Sequence, residues 1–264
     1  MKAFAVGRYG SKDCLQMREV PEPGIGEHDV LVEVRAASVN LLDAKIRDGE
    51  FKLILPYRVP FVLGNDMAGR VVKVGPAVRS FAPGDEVYAR PGTDTIGTFA
   101  ELAAVHEDDL ALKPATLTME ESAALPLVAL TAWQALVERA NLQPGQKILI
   151  HAGSGGVGTI AIQLAKHLGA HVATTTGTTN IEWVPPDPGF AREIGANPVA
   201  RLATALLSGR TRLQARPRHV RYSYLFMKAS GAQLRAIAAL VDAGTIRPVI
   251  DQVFPCPQKG HGHD

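Results

Sequence analysis

Cysteine is scarce in this chain. Only Cys14 and Cys256 occur among the 264 residues, and they lie far apart in sequence. Two cysteines cannot form a four-cysteine zinc lobe, and they provide no disulfide framework. Because thiols that stay reduced are typical of the cytoplasm, the sequence favours a cytoplasmic location.

The sequence also lacks long apolar runs and an excess of one charge. No stretch reaches the roughly 20 uninterrupted apolar residues of a membrane span, and the opening MKAFAVGRYG has no apolar core of a signal peptide. The formal net charge is only +2, and the basic stretch GRTRLQARPRHVR has no aromatic residues between its cations for base stacking. We therefore expect neither a membrane nor a nucleic-acid partner.

What the chain does contain, over residues 1–115, is a series of β-forming stretches. MKAFAV, DVLVEVRAASV, AGRVVKVG and DEVYAR are short apolar or alternating runs, and Gly/Pro turns separate them. Short strands with this punctuation are typical of a β-barrel or a sandwich. The pattern predicts an all-β first domain over these residues.

The pattern then changes to α/β. Thr118 and Glu121 have the T-x-x-E spacing of a capping box, and the helix that follows is interrupted at Pro126. Residues 147–176 predict a strand, a glycine turn, a helix and a second strand. This order predicts a doubly wound α/β domain over residues 116–250.

The elements after this unit are less regular. Residues 190–208 predict a helix, VRYSYLFMK and IRPVIDQVF predict strands, and AQLRAIAALVDAG predicts an amphipathic helix that ends at Gly244. Residues 251–264 are expected to hold the rest of a returning strand and a polar tail.

The glycine turn carries an intact G-x-G-x-x-G motif. It consists of Gly153, Ser154, Gly155, Gly156, Val157 and Gly158. The motif follows a predicted strand and opens a predicted helix, which is the context of a dinucleotide-binding turn. The first glycine permits the tight turn, the second lets the backbone approach a pyrophosphate, and the third allows close helix–strand packing. The alternative is a tight turn without a ligand.

The residues after the second strand bear on the choice between NAD and NADP. An acidic residue there would bind the ribose 2′-hydroxyl of NAD, but the stretch is TTTGTTN and no acidic residue occurs before Glu182. Hydroxyls can bind a 2′-phosphate without repelling it. We therefore expect NADPH, held in part by Thr175, Thr176 and Thr178, and the alternative is an ordinary β-branched strand with a polar loop.

Several of these stretches resemble one family, the zinc-independent quinone oxidoreductases and alkenal/one oxidoreductases of the medium-chain dehydrogenase/reductase superfamily. The resemblance to its cofactor domain rests on ESAALPLVALTAWQAL and HAGSGGVGTIAIQLAKHLGAHVATT. The resemblance to its catalytic domain rests on VEVRAASVNLLDAKIRDG and PFVLGNDMAGRVVKVGPAV. It implies a GroES-like β-barrel followed by a Rossmann domain.

The resemblance implies hydride transfer from NADPH to a quinone or an α,β-unsaturated carbonyl. Zinc-dependent relatives have cysteine at the position of Asn40 and histidine at that of Asn65, and neutral amides are poor zinc ligands, so we expect no metal. Asn40, Lys45 and Tyr57 match the family's cleft and are the expected catalytic hydrogen-bonding residues. Thr131 matches a position near the nicotinamide.

Each of these residues has a structural alternative. Asn40 suits a buried turn and Asp43 a helix cap. Lys45 suits a solvated face, and Tyr57 suits a packing position. Asp66 is expected to be structural rather than catalytic.

The chain also departs from the family. It passes from TTTGTTN almost directly to IEWVPPDPGFAREIGANP, where relatives have a helix, two strands and their connections. After VFP only a short stretch follows, CPQKGHGHD. We therefore expect a truncated cofactor domain that lacks inner strands. The alternative to an active enzyme is a catalytically impaired homologue that acts as a cofactor-binding or interaction module, and the resemblance allows a homodimer.

Overall fold

A computed structural model describes residues 1–175 and 225–255 of the chain. Its N-terminal part consists mainly of strands. In chain order the elements are β1 (Lys2–Val6), β2 (Leu15–Glu19), β3 (Asp29–Ser38), α1 (Leu41–Asp48), β4 (Phe61–Val62), β5 (Asp66–Val74), β6 (Glu86–Ala89), β7 (Leu102–His106) and β8 (Leu110–Leu112).

These strands form two antiparallel sheets. The larger sheet has the order β7-β3-β5-β6-β8, and the smaller has the order β2-β1-β4. The N–H of Phe4, on β1, donates to the carbonyl of Phe99 at 2.8 Å, which ties the smaller sheet to the segment that leads into β7. The inward residues of the larger sheet form one core, which contains Val30, Val32, Met67, Val71, Val87, Val105 and Leu110. The strands predicted for the first part of the chain are present, but the part is not all-β as predicted, because it contains the helix α1.

Helices follow the last strand of the barrel. The first, α2 (Met119–Ala123), begins with the predicted capping box, because the N–H of Glu121 donates to Thr118 Oγ1 at 3.2 Å and the N–H of Thr118 donates to the Glu121 carboxylate at 2.9 Å. The second, α3 (Pro126–Trp133), starts at proline, which needs no amide donor in a first turn. A π-helical turn (Gln134–Arg139) continues it.

The strand–turn–helix–strand unit is present as predicted. It consists of β9 (Lys147–Ile150), α4 (Gly156–His167) and β10 (His171–Thr174). The two strands pair in parallel, which requires the crossover that α4 provides. Gly169 has φ of +79° and ends the helix in the left-handed conformation, as predicted.

The last described helix, α5 (Gly231–Asp242), packs against both halves of the molecule. The hydroxyl of Tyr88, on β6, donates to the carbonyl of Leu234 at 2.6 Å. Gly244, with φ of +71°, follows the helix by two residues and confirms its predicted end. A second core joins barrel and helices, and it includes Ala68, Tyr88, Ala111, Leu130, Leu164, Leu234 and Ile237.

Two predicted strands are wrong where the structure describes them. Residues 225–228 and 246–254 form no strand, so the expected returning strand is absent from the described residues 251–255. A strand needs a neighbour with free N–H and C=O groups. Within the described residues, β9 and β10 pair only with each other, and no described strand accompanies the later segment.

Other predictions fall outside the described residues. They concern the helix over 190–208, the basic stretch over 209–221, Thr176, Thr178 and Cys256. The domain division into residues 1–115, 116–250 and 251–264 stays a prediction. Among the helices of the described ranges, none has the length and apolar character needed to cross a membrane.

Candidate functional site

Asn40 lies between β3 and α1, where it is the N-cap residue of the helix. Its backbone is extended, and its N–H donates to Asp43 Oδ2 at 2.7 Å. Asp43 is buried and also accepts a hydrogen bond from Asn65 Nδ2 at 2.7 Å. The alternative reading of Asp43 as a helix cap is therefore confirmed, and Asn40 begins a helix at the edge of a buried polar cluster.

The side chain of Asn40 is half-buried, and Asp66 fixes its orientation. Asn40 Nδ2 donates to Asp66 Oδ2 at 2.9 Å and more weakly to Ser38 Oγ at 3.4 Å. An ionised carboxylate only accepts hydrogen bonds, so the amide nitrogen must face it. Asn40 Oδ1 then faces the start of α1, where the Asn40 side chain and the backbone N–H of Asp43 form one half of a capping box. The amide of Asn40 is therefore held between Asp66 and the first turn of α1.

A buried cluster of polar and charged residues lies behind Asn40. It consists of Asp43, Asn65, Asp66 and Arg90, each no more than 1% exposed. Burial raises the pKa of Asp66 to about 7; the hydrogen bond from Asn40 and the positive charge of Arg90 lower it, and the negative charge of Asp43 raises it further. Burial also lowers the pKa of Arg90.

Three buried polar atoms around this cluster have no hydrogen-bond partner among the described residues. They are Asn65 Oδ1, Arg90 Nε and Thr98 Oγ1. Sequence reasoning missed Arg90, because a single arginine at the end of a β-strand resembles a surface cation. The only available signal was its place between the apolar Tyr88-Ala89 pair and a Pro-Gly turn.

Tyr57 lies in a cluster of apolar side chains near α1. Its hydroxyl donates to the carbonyl of Thr93 at 2.7 Å, and its ring lies 5.2 Å from that of Phe61. Burial raises the pKa of Tyr57 to about 12, so the hydroxyl stays protonated at neutral pH. A cavity of about 250 Å³ borders it, lined by Ile54, Leu55, Pro56, Tyr57, Arg58, Thr93 and Asp94.

Lys45 lies on α1 and forms an ion pair. Its Nζ is 2.7 Å from Glu50 Oε2, and its side chain is 26% exposed. This geometry agrees with the solvated-face alternative. Contact between Lys45 and a substrate stays a prediction.

The glycine turn shows why two of its residues are glycine. A Cβ atom at Gly153 would overlap Thr174 Oγ1, and one at Gly158 would overlap the carbonyl of Ala152. At Gly155 a Cβ would approach only Ala152 O, at 3.3 Å. Gly155 is exposed and is the N-cap of α4. The space in front of it is open to an external group.

Two threonines of the predicted cofactor site are described, Thr175 beside this turn and Thr131 on α3. Thr175 Oγ1 accepts a hydrogen bond from the N–H of Ala152 at 3.3 Å and lies 3.2 Å from His151 Nδ1. Thr131 Oγ1 donates to the carbonyl of Leu127 at 2.6 Å within α3. Both hydroxyls thus have internal partners, and their contact with a cofactor stays a prediction.

Comparison with family models divides the chain into two matching regions. Residues 26–115 match the alcohol dehydrogenase GroES-like domain. Residues 148–259 match the zinc-binding dehydrogenase domain. This order agrees with the predicted fold, a GroES-like barrel followed by a Rossmann-type domain.

Two relatives bear on the length of the chain. The chain is 43% identical to the chloroplastic NADPH-dependent alkenal/one oxidoreductase of Arabidopsis thaliana over 70% of its own length, and it spans 50% of that protein. It is 31% identical to the mitochondrial NAD(P)H oxidoreductase RTN4IP1 of Homo sapiens over 97% of its length and 83% of that protein. That alignment runs over 329 positions, more than the 264 residues present, so the human protein has internal residues without counterparts here.

Solved structures show the same architecture. The quinone oxidoreductase from Coxiella burnetii superposes with a TM-score of 0.78 at 28% identity, over 95% of this chain and 90% of that one. The Escherichia coli quinone oxidoreductase complexed with NADPH superposes with a TM-score of 0.61 at 32% identity, over 68% of this chain and 53% of that one.

Proposed function

Because the chain belongs to the quinone oxidoreductase branch of the medium-chain dehydrogenase/reductase superfamily, we propose that it is an NADPH-dependent oxidoreductase. Its proposed substrates are quinones and α,β-unsaturated carbonyls. Two proteins similar to this chain support this choice, because one is named an alkenal/one oxidoreductase and the other a quinone oxidoreductase.

The open face of Gly155 at the start of α4 carries the proposal. Within the described chain, close packing leaves no room for a Cβ atom at Gly153 or Gly158. At Gly155 the packing is less close, so it does not by itself explain the glycine there. The first N–H groups of a helix have no partner within the helix, and the positive end of its dipole favours an anion. A pyrophosphate that approaches the backbone closely fits this place.

The residues of the turn and the barrel divide the proposed work. NADPH, when bound, supplies the hydride. Gly155, Gly156 and Val157 would bind its pyrophosphate through backbone N–H groups, and Thr175 borders the same turn. Thr131, on α3, is the proposed neighbour of the nicotinamide, and Asn40 is a proposed hydrogen-bonding residue at the cofactor and the substrate.

Tyr57 and Lys45 are the proposed donors to the substrate oxygen. Tyr57 keeps its proton at neutral pH, because burial raises its pKa to about 12. To reach a substrate its hydroxyl must leave the carbonyl of Thr93, and Lys45 must likewise leave Glu50. Apolar side chains around Tyr57 exclude water from this side of the cleft, and they include Phe61, Phe99 and Phe226.

We also propose that the reaction needs no zinc. The residues at the positions of the family's zinc ligands are Asn40 and Asn65, whose neutral amides are poor zinc ligands. Across residues 1–175 and 225–255, no group of three or more His, Cys, Asp or Glu side chains is arranged to hold a metal ion.

Location and assembly are further proposals. The two widely separated cysteines support a cytoplasmic protein. Apolar side chains at Leu149, Val249 and Phe254 are more than half exposed, which supports a homodimer. Light scattering coupled to size exclusion would measure the mass of the assembly, and a monomer at all concentrations would contradict the dimer.

The test of the proposed activity is NADPH oxidation by the full chain with a benzoquinone and with an alkenal. We expect substrate-dependent oxidation with at least one of them, and loss of it in Gly155→Ala at unchanged stability. A folded protein that oxidises no NADPH with either substrate would contradict the proposal and favour the catalytically impaired homologue.

A further inference from the structure

Asp66 accepts hydrogen bonds from three segments of the chain, although its side chain is fully buried. Its Oδ2 receives the hydroxyl of Ser38 at 3.0 Å and the Nδ2 of Asn40 at 2.9 Å. Its Oδ1 receives the N–H of Leu127 at 2.9 Å. Ser38 ends β3, Asn40 precedes α1, and Leu127 is the second residue of α3.

The bond to Leu127 places the carboxylate at the N-terminus of α3. Free N–H groups and the positive end of the helix dipole favour an acceptor there. One turn of this helix connects Asp66 to the glycine turn, because a Cβ at Gly156 would lie 3.1 Å from Val128 Cγ1. A single carboxylate therefore joins Asn40, on the barrel side, to the helix that packs against the cofactor turn.

Both ends of Asn40 are held. Its backbone N–H donates to Asp43, its Nδ2 donates to Asp66, and its side-chain oxygen faces the N–H of Asp43 in the capping box. Rotation of the amide by half a turn would set Oδ1 against the carboxylate oxygen, which is repulsive. The orientation of Asn40 thus depends on Asp66 keeping its acceptor oxygen.

We propose that Asp66 is a positioning residue, which holds the side-chain amide of Asn40 in one orientation and couples this orientation to the first turn of α3. Its catalytic consequence rests on the proposed oxidoreductase function. Asp66 itself touches neither cofactor nor substrate in this role, and it acts through Asn40.

A double-mutant cycle tests the coupling. Asp66→Asn preserves the shape of the side chain but turns an amide N–H₂ toward at least one donor. We expect it to lower kcat/KM for benzoquinone reduction by about tenfold. In the Asn40→Ala background, Asp66→Asn should have little further effect on kcat/KM. If instead the two losses multiply in the double variant, Asp66 does not act through Asn40.

A stability control separates positioning from simple weakening of the fold. Ser122 is buried, and its hydroxyl donates to the carbonyl of Thr118 at 2.7 Å rather than to Asp66 or Asn40. Ser122→Ala removes a buried hydrogen bond and is expected to leave kcat/KM unchanged. A fall of kcat/KM in Ser122→Ala as large as in Asp66→Asn would overturn the proposal.

A second measurement does not depend on activity. The side-chain amide resonances of Asn40 are identified in the full chain by their loss in Asn40→Ala. We expect them to shift, and to exchange faster with solvent, in Asp66→Asn but not in Ser122→Ala. Unchanged resonances in Asp66→Asn would overturn the positioning role, even if the wild-type chain proved inactive. Inactivity with shifted resonances would count against the proposed function alone.

Discussion

At the scale of single residues, the glycines of the turn have two different reasons to be glycine. Gly158 faces the backbone of Ala152 and Gly153, where a Cβ has no room. At Gly155, at the start of α4, a Cβ would meet only the carbonyl oxygen of Ala152, at 3.3 Å. Packing therefore accounts for Gly158, and we propose that approach of a ligand accounts for Gly155.

This difference gives a matched pair of substitutions. Gly158→Ala should lower the free energy of unfolding by about 1–3 kcal/mol, because the new methyl group overpacks the turn. Gly155→Ala should leave the free energy of unfolding nearly unchanged and weaken NADPH binding by about tenfold or more, because the methyl group occupies the phosphate side. Urea unfolding and nicotinamide fluorescence measure the two effects. Equal losses of stability in both variants would contradict this reading.

Asp66 gives a prediction on pH. Burial raises its pKa to about 7, against about 3.9 in an unfolded chain. Between these pH values Asp66 is protonated more often in the folded chain than in the unfolded chain. Its contribution to the free energy of unfolding is therefore fully present below about pH 4 and is lost as the pH rises through 7. The unfolding free energy of the wild type minus that of Asp66→Asn should therefore fall between about pH 5 and pH 8. A difference that stays constant over this range would contradict the raised pKa.

The sequence could predict the glycine turn but not the cluster around Asp66. The motif is contiguous, and its context of strand and helix could be recognised from local pattern alone. The contacts of Asp66 with Ser38, Asn40 and Leu127 join positions 26 to 61 residues apart. Only the folded barrel brings them together, so the sequence showed Asp66 as structural without showing its partners.

At the scale of elements, strands were predicted well where both neighbours exist. β1, β3, β5 and β6 match β-rich runs, and each pairs within an antiparallel sheet. The stretch over 246–254 has the same apolar composition but forms no strand. Such a stretch forms a strand only where a neighbouring strand can pair with it. The composition of the stretch itself does not show whether that neighbour is present.

The segment after residue 225 is held by side chains rather than by sheet pairing. Gln134 is 4% exposed, and its Nε2 donates to the carbonyl of Lys228 and to Gln233 Oε1, both at 2.8 Å. Its Oε1 accepts the N–H of Lys228 at 3.0 Å. One glutamine at the start of the π-helical turn thus fixes the backbone that leads into α5.

Gln134→Ala is expected to lower the free energy of unfolding by about 2 kcal/mol, because the backbone N–H and C=O of Lys228 lose their partner. Gln143→Ala is the control, since Gln143 is exposed and, within the described ranges, the hydrogen bonds that its side-chain nitrogen donates go to Asn141. Its effect should be about 0.5 kcal/mol or less. Urea unfolding measures both variants, and equal effects would contradict the anchoring role of Gln134.

At the scale of the whole molecule, the chain preserves both sides of the family's cleft with fewer residues than its relatives. The barrel, the glycine turn and α5 share one core, and α5 is tied to the barrel through Tyr88. The glycine turn, which we propose binds the pyrophosphate, is present without the internal residues that the human relative has in addition. We therefore propose that the cofactor domain binds NADPH without those residues.

Fluorescence titration of the purified full chain with NADPH and with NADH tests this claim most directly. We expect saturable NADPH binding in the micromolar range. NADH should bind at least about tenfold more weakly, because no acidic residue directly follows the second strand to select NAD. A cooperatively folded chain that binds neither nucleotide would contradict the account.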